Sequence, residues 1–159
     1  MRPLPEVRDI PLADEAATTR LGAALAQHVG AGEALLLSGD LGMGKSTLAR
    51  GLIRALTRAD EDVPSPTFTL VQFYECSPPV AHFDLYRLED PREADEIGLY
   101  EAIDDGAVLI EWPERLGTAG EKALSPDRLS VTLETEGEGR RARLTGHGAW
   151  AVKLKELHV

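Results

Sequence analysis

Cysteine is almost absent from this chain, with Cys76 standing alone among 159 residues. One thiol can build neither an internal disulfide nor a thiolate metal cluster, so a stapled secreted scaffold and a cysteine-rich zinc fold are both excluded. Cys76 reads as an incidental loop or edge residue. Basic residues are also scarce: 17 Lys and Arg face 27 Asp and Glu, giving a formal net charge of −10. That balance is a poor match for a protein that grips a polyphosphate nucleic-acid backbone unaided. The densest basic cluster, Arg140, Arg141 and Arg143, follows Glu134, Glu136 and Glu138, a pattern that favours a solvated hairpin over an RNA platform. No apolar run approaches the roughly 20 residues needed to cross a bilayer. The start MRPLPEVRDIPL lacks a signal-peptide apolar core. The expected compartment is therefore the cytoplasm. Internal repeats and low-complexity tracts are missing as well. At 159 residues and 43% hydrophobic composition, the chain can bury one substantial core but is short for two, so a single domain over residues 1–159 is expected.

What the chain does contain is a complete phosphate-binding signature, G-x-x-x-x-G-K-[ST], in Gly39, Asp40, Leu41, Gly42, Met43, Gly44, Lys45 and Ser46, followed by Thr47. Its context is right. Residues 33–38 (EALLLS) read as a short buried strand entering the loop, and residues 47–56 (TLARGLIRAL) carry helix-like apolar spacing after it. Glycines let successive backbone N–H groups turn inward around phosphates, and a helix N-terminus adds its positive end at the same point. Lys45 can then reach the β- and γ-phosphates while the Ser46 hydroxyl is offered to Mg²⁺. A tight strand-to-helix turn would explain the glycines but not Lys and Ser at those two positions.

Around this loop the sequence suggests an α/β organisation. Ala16, Ala17, Leu21, Ala24, Leu25 and Val29 recur at helical spacing within residues 12–29, closed by Gly30 and Gly32. Residues 60–66 (DEDVPSP) break regular structure, and residues 67–74 (TFTLVQFY) resume it as a strand. Pro78 and Pro79 then separate that strand from residues 80–86 (VAHFDLY), across a connection too long for a two-residue hairpin. An acidic helix is expected over residues 92–102, then the apolar strand 107–110 (AVLI) ending at Glu111. Residues 129–134 and 141–145 alternate in character and should pair as an antiparallel ribbon across residues 137–139. The tail from residue 146 is less legible: Trp150, Leu154 and Leu157 share a helical side, but strand readings stay open. The expected fold is a single, three-layer α/β nucleotide-binding domain with a mixed, mostly parallel central sheet, an N-terminal helix and a C-terminal antiparallel extension.

A phosphate loop alone does not hydrolyse a triphosphate, so carboxylates at the ends of other strands matter. Two stand out. In residues 80–86 a period of two places His82, Asp84 and Tyr86 on one face, opposite Phe83 and Leu85. Glu111 ends its apolar strand at the position from which a carboxylate reaches a metal-bound water outside the sheet. Either Glu111 replaces the usual Asp of that strand, or Asp84 supplies the charge from the neighbouring one. Each has the alternative of an ordinary solvent-facing carboxylate.

Taken together, residues 39–47 (GDLGMGKST), 65–71 (SPTFTLV), 82–88 (HFDLYRL) and 110–116 (IEWPERL) closely resemble, in order and approximate spacing, the bacterial tRNA threonylcarbamoyladenosine biosynthesis ATPase family TsaE, also called YjeE. These blocks span about half the chain, which makes the match far more specific than the loop by itself. The resemblance implies Mg²⁺-dependent ATP hydrolysis in support of TsaB and TsaD, which install the N6-threonylcarbamoyl group on tRNA, so tRNA is met only through that complex. The acidic net charge agrees with such a protein-partner role. Carried over by residue, Lys45 binds phosphate, Ser46 ligates Mg²⁺, Thr67 belongs to a switch-like loop, and Asp84 and Glu111 take the two acidic positions. Glu111 is favoured as a direct or water-mediated metal ligand and Asp84 as a water-positioning or outer-shell group, although the reverse fits nearly as well. His82 either orients Asp84, touches nucleotide or is structural, and Trp112 packs near the pocket or a partner surface. Two other functions remain open: a nucleotide-gated assembly subunit whose hydrolysis is incidental, and a small-molecule kinase, against which stands the lack of an arginine-rich lid segment.

Overall fold

Residues 34–37 are apolar at every position, so both faces of their strand need cover. The computed structural model supplies it, and describes residues 4–159. The first three residues, part of the start read as lacking a signal-peptide core and of the expected 1–159 domain, lie outside the described residues. In chain order the elements are β1 (Glu6–Leu12), α1 (Glu15–Ala26), β2 (Ala34–Ser38), α2 (Lys45–Leu56), β3 (Val71–Tyr74) and β4 (Val80–Asp84). There follow α3 (Glu93–Glu96), α4 (Leu99–Asp105), β5 (Ala107–Glu111), a 3-10 turn (Pro113–Leu116), α5 (Gly117–Leu124), β6 (Arg128–Glu136), β7 (Gly139–His147) and α6 (Ala149–Glu156).

The seven strands of the described residues form one sheet in the order β1-β7-β6-β2-β5-β4-β3. Its centre is parallel: β2 pairs with both β5 and β6, and β5 pairs with β4. The flanks are antiparallel, through β3 on β4 at one side and the β6-β7-β1 run at the other. The expected mixed, three-layer α/β fold is thus present, with the parallel portion made of the four middle strands. Alternate residues of β2 feed opposite faces: Leu35 and Leu37 join Leu21, Leu25, Leu48, Leu52 and Ile53 of α1 and α2. Leu36 packs instead with Phe83, Leu99, Ile103, Ile110 and Leu124 on the other side.

Several elements depart from the sequence reading. The unanticipated β1 is an edge strand, where Pro11 costs little because one side of an edge has no ladder to complete. Residues 67–70 are a turn rather than the start of a strand, closed by the Leu70 N–H donating to the Pro66 carbonyl at 2.7 Å. The acidic helix divides into α3 and α4 at Gly98, whose φ of 83° lies in the left-handed region. The tail is helical, and α6 is tied to the beginning of β2 through Glu33, which accepts from the Trp150 indole at 2.9 Å and pairs with Lys153. Arg141 pairs with Glu134 and Glu136, as a solvated hairpin requires.

The phosphate-loop helix α2 is seated against α1 by close backbone approach at Gly22. A Cβ there would lie 2.9 Å from the Leu52 nitrogen and closer still to the Leu48 carbonyl oxygen. In an open helix Gly→Ala gains about 1 kcal/mol. Here overpacking reverses the sign, and Gly22→Ala is expected to destabilise the protein by about 1–3 kcal/mol in urea denaturation. A variant as stable as the parent would show that the two helices separate without cost.

Candidate functional site

The strand β2 delivers the chain into residues 39–47, where Gly39, Gly42 and Gly44 adopt φ of 142°, 83° and 106°. Only glycine takes such values without strain, so the backbone can fold tightly around the start of α2. The Leu48 N–H bonds the Gly44 carbonyl at 2.9 Å, which starts the helix on the loop itself. Amides at the first turn of a helix lack intrahelical partners and carry the positive end of its dipole. This is a natural seat for an oxygen-rich anion.

The Lys45 side chain is only 5% exposed. Its Nζ donates to the Gly39 carbonyl, and to that of Asp40 at 3.1 Å, while lying 4.1 Å from the centre of the Trp112 ring. Trp112 itself has a left-handed φ of 61°, and its N–H reaches back to the Leu37 carbonyl at 3.3 Å. Left-handed backbone costs a non-glycine residue roughly 1–2 kcal/mol. The strain turns the chain at the end of β5 and brings the indole under Lys45 and within 4.9 Å of the Tyr86 ring.

Strand register brings the acidic residues together. Asp84 is opposite Glu111 in the β4–β5 ladder, and Leu37, one residue before the end of β2, pairs with Glu111 on the other side. Both carboxylates are buried, at 4% and 3% exposure. The Ser46 hydroxyl donates to Glu111, 3.2 Å from Oε1 and 3.5 Å from Oε2. Asp84 accepts from the Thr67 hydroxyl at 3.2 Å and from the Tyr86 N–H at 3.0 Å. Thr67 is held there by its turn, since the Leu70 carbonyl receives the Asp84 N–H at 3.0 Å. His82 does not orient Asp84. Its Nε2 lies 2.7 Å from Glu111 Oε2, across the ladder.

These groups surround a cavity of about 340 Å³ lined by Leu41, Gly42, Gly44, Lys45, Ser46, Thr47, Ser65, Thr67, Asp84, Glu111 and Trp112. Gly39 and Asp40 lie behind it as acceptors for Lys45, and Met43 faces a second cavity of about 310 Å³ on the other side of the loop. Leu12, Ala13, Thr18, Glu138, Gly139 and Arg140 line that second space. Sequence reasoning did not select those residues, because they come from the end of β1, from α1 and from the β6–β7 turn, and no local motif links them.

The oxygen groups lining the first cavity, the four hydroxyls of Ser46, Thr47, Ser65 and Thr67 and the two carboxylates, are those a hard divalent cation such as Mg²⁺ prefers. Two carboxylates are fewer than a closed protein cage needs, but Mg²⁺ commonly completes its shell with substrate phosphates and water. The donor set therefore fits this metal.

Burial pushes the Lys45 ammonium below its ordinary value, while Glu111, Glu114, Asp84 and Asp40 hold it up in part. Because the folded state binds this proton more weakly than the unfolded chain, the group's contribution to stability increases as pH rises from the folded value towards the ordinary one. Glu111→Gln should depress the Lys45 titration further, as read by lysine side-chain NMR. A Lys45 titration that rises or stays in place would show that Glu111 exerts no field there.

A family model described as "Threonylcarbamoyl adenosine biosynthesis protein TsaE" matches residues 12–143. A tRNA threonylcarbamoyladenosine biosynthesis protein TsaE from Rickettsia felis is 37% identical over 131 residues, covering 82% of this chain and 74% of that protein. Its counterpart from Nostoc is 46% identical over 111 residues, 66% of this chain and 67% of its own. Among solved structures, Bacillus subtilis YdiB superposes with a TM-score of 0.76, covering 97% of this chain and 95% of its own at 23% identity, which supports the fold.

Proposed function

The chain belongs to the TsaE family of tRNA threonylcarbamoyladenosine biosynthesis proteins, and from that premise we propose that it is a Mg²⁺-dependent ATPase supporting TsaB and TsaD. In this reading ATP turnover sustains formation of N6-threonylcarbamoyladenosine at position 37 of tRNA. The observation that carries the proposal is the convergence of Lys45, Ser46, Asp84 and Glu111 on one cavity at the mouth of the glycine loop.

The loop amides of residues 39–47 and the first turn of α2 cradle the phosphates. Lys45 exchanges the carbonyls of Gly39 and Asp40 for phosphate oxygens, a short movement because its ammonium already lies at the loop. The second cavity, beside Met43 and Arg140, has room for the nucleoside. Ser46 and Glu111, already hydrogen-bonded to each other, would hold Mg²⁺, with Asp84 nearby. When bound, the metal draws negative charge from the phosphates and from the leaving oxygen. Asp84, steadied by Thr67 and the Tyr86 amide, orients the attacking water by accepting its hydrogen bond. Trp112 shields Lys45 from bulk water and so strengthens its field on the transferred phosphate.

Multiple-turnover phosphate release, with and without TsaB and TsaD, tests this reading. Lys45→Ala should nearly abolish turnover and weaken triphosphate binding. Glu111→Gln and Asp84→Asn should each slow turnover by about 100-fold or more, with nucleotide affinity changed far less, because the loop amides and Lys45 remain. Both carboxylate variants turning over like the parent would overturn the mechanism. Labelled γ-phosphate passing to a metabolite instead of water would establish a kinase, and threonylcarbamoylation that needs nucleotide but not its cleavage would establish a gating subunit.

A further inference from the structure

His82 is 1% exposed and sits in the middle of β4, where Val80, Ala81 and Phe83 are apolar. A position serving packing alone would gain from an apolar side chain there, because burying an imidazole costs free energy for every nitrogen left without a partner. That cost is present in part: Nδ1 is buried and has no hydrogen-bond partner among the described residues. Among the described residues, the single polar contact of the ring is the 2.7 Å bond from Nε2 to Glu111 Oε2. An ionised carboxylate can only accept, so Nε2 carries the proton of this bond.

The bond divides the work of the Glu111 carboxylate. Oε2 faces His82, whereas Oε1 is the oxygen nearer the Ser46 hydroxyl, at 3.2 Å. A carboxylate free to rotate would present either oxygen, or both, to a cation. It would also be free to turn away from Asp84, its cross-strand neighbour of like charge. Fixing one oxygen removes that freedom.

We infer that His82 is a positioning residue, which holds Glu111 through Oε2 so that Oε1 and the Ser46 hydroxyl face a divalent cation as a preorganised pair. This rests on Glu111 being a ligand of the metal, as proposed above, and adds what keeps that ligand in place. Partners of this kind usually change metal affinity by 10- to 100-fold when removed.

The test uses Mn²⁺ as probe, with its binding to the ADP-saturated protein followed by electron paramagnetic resonance. His82→Asn keeps an amide but places it short of Glu111, and His82→Leu fills the space without a donor. Each should weaken Mn²⁺ binding by about tenfold or more, with ADP affinity in the absence of metal unchanged. His82→Gln, whose amide nitrogen falls near the position of Nε2, should restore binding to within about threefold of the parent. Parent-like Mn²⁺ affinity in folded His82→Asn or His82→Leu overturns the inference, and so does equal weakening in the Gln variant, which would mark a packing role. Glu111→Gln separates the two levels of the argument. If it leaves Mn²⁺ affinity unchanged, the metal assignment itself fails. If it weakens binding while the His82 variants do not, only the positioning role fails. Should the Asn and Leu variants not fold, nitrogen-15 spectra of the unaltered protein decide the matter: the His82 ring should carry its proton on Nε2 and its signal should move when Mg²⁺ joins ADP. A ring without a proton on Nε2, or a signal indifferent to the metal, would contradict it.

Discussion

Asp84 and Glu111 lie side by side because β4 and β5 pair in parallel with those two residues opposite each other at their carboxyl ends. Like charges in this relation repel, and burial deprives both of water. The surrounding site offsets that cost. Ser46 and His82 donate to Glu111, Thr67 and the Tyr86 amide donate to Asp84, and Lys45 contributes a buried positive charge whose titration responds to both. A bound cation would relieve the remaining repulsion directly, so the register of one strand pair connects the fold to the proposed metal site.

The elements beyond this pair have intelligible positions relative to it. Strand β2 lies between β5 and β6 and launches the glycine loop, so that loop and Glu111 emerge at the same end of the parallel strands. The approach of α1 to α2 at Gly22 sets the helix that carries Lys45 and Ser46. The turn at residues 66–70 is pinned to Asp84 by its backbone and to the carboxylate by Thr67, while Phe68 remains 78% exposed with the Arg87 guanidinium over its ring at 4.5 Å. The segment is thus anchored to the carboxylate at one residue and exposed at the next.

Much of this is legible in the sequence. The glycine loop carries its own conformational requirement, and the period-two pattern of residues 80–86 correctly joined His82 and Asp84 on one face, with Phe83 and Leu85 in the opposite core. What resisted was whatever depended on register or on a distant segment. The partner of His82 is Glu111, which no spacing within β4 could reveal. Residues 67–70 have strand-like composition, but their backbone satisfies itself in a turn and docks on Asp84 instead. In β1 the adjacent polar residues Arg8 and Asp9 break the alternation and Pro11 interrupts the run, so it lacks a strong strand signal, yet pairing with β7 and burial of Ile10 and Leu12 suffice to hold it. The second cavity combines the end of that strand with a hairpin turn more than a hundred residues away in sequence, a proximity created only by the order β1-β7-β6.

The most direct test of the account is a crystal structure with Mg²⁺ and a non-hydrolysable ATP analogue. It should show the phosphates on the amides of residues 39–47, Lys45 released from the Gly39 and Asp40 carbonyls onto a phosphate oxygen, and the metal beside Ser46 and Glu111. Phosphates bound elsewhere, with Lys45 still on those carbonyls and no metal at Glu111, would contradict it.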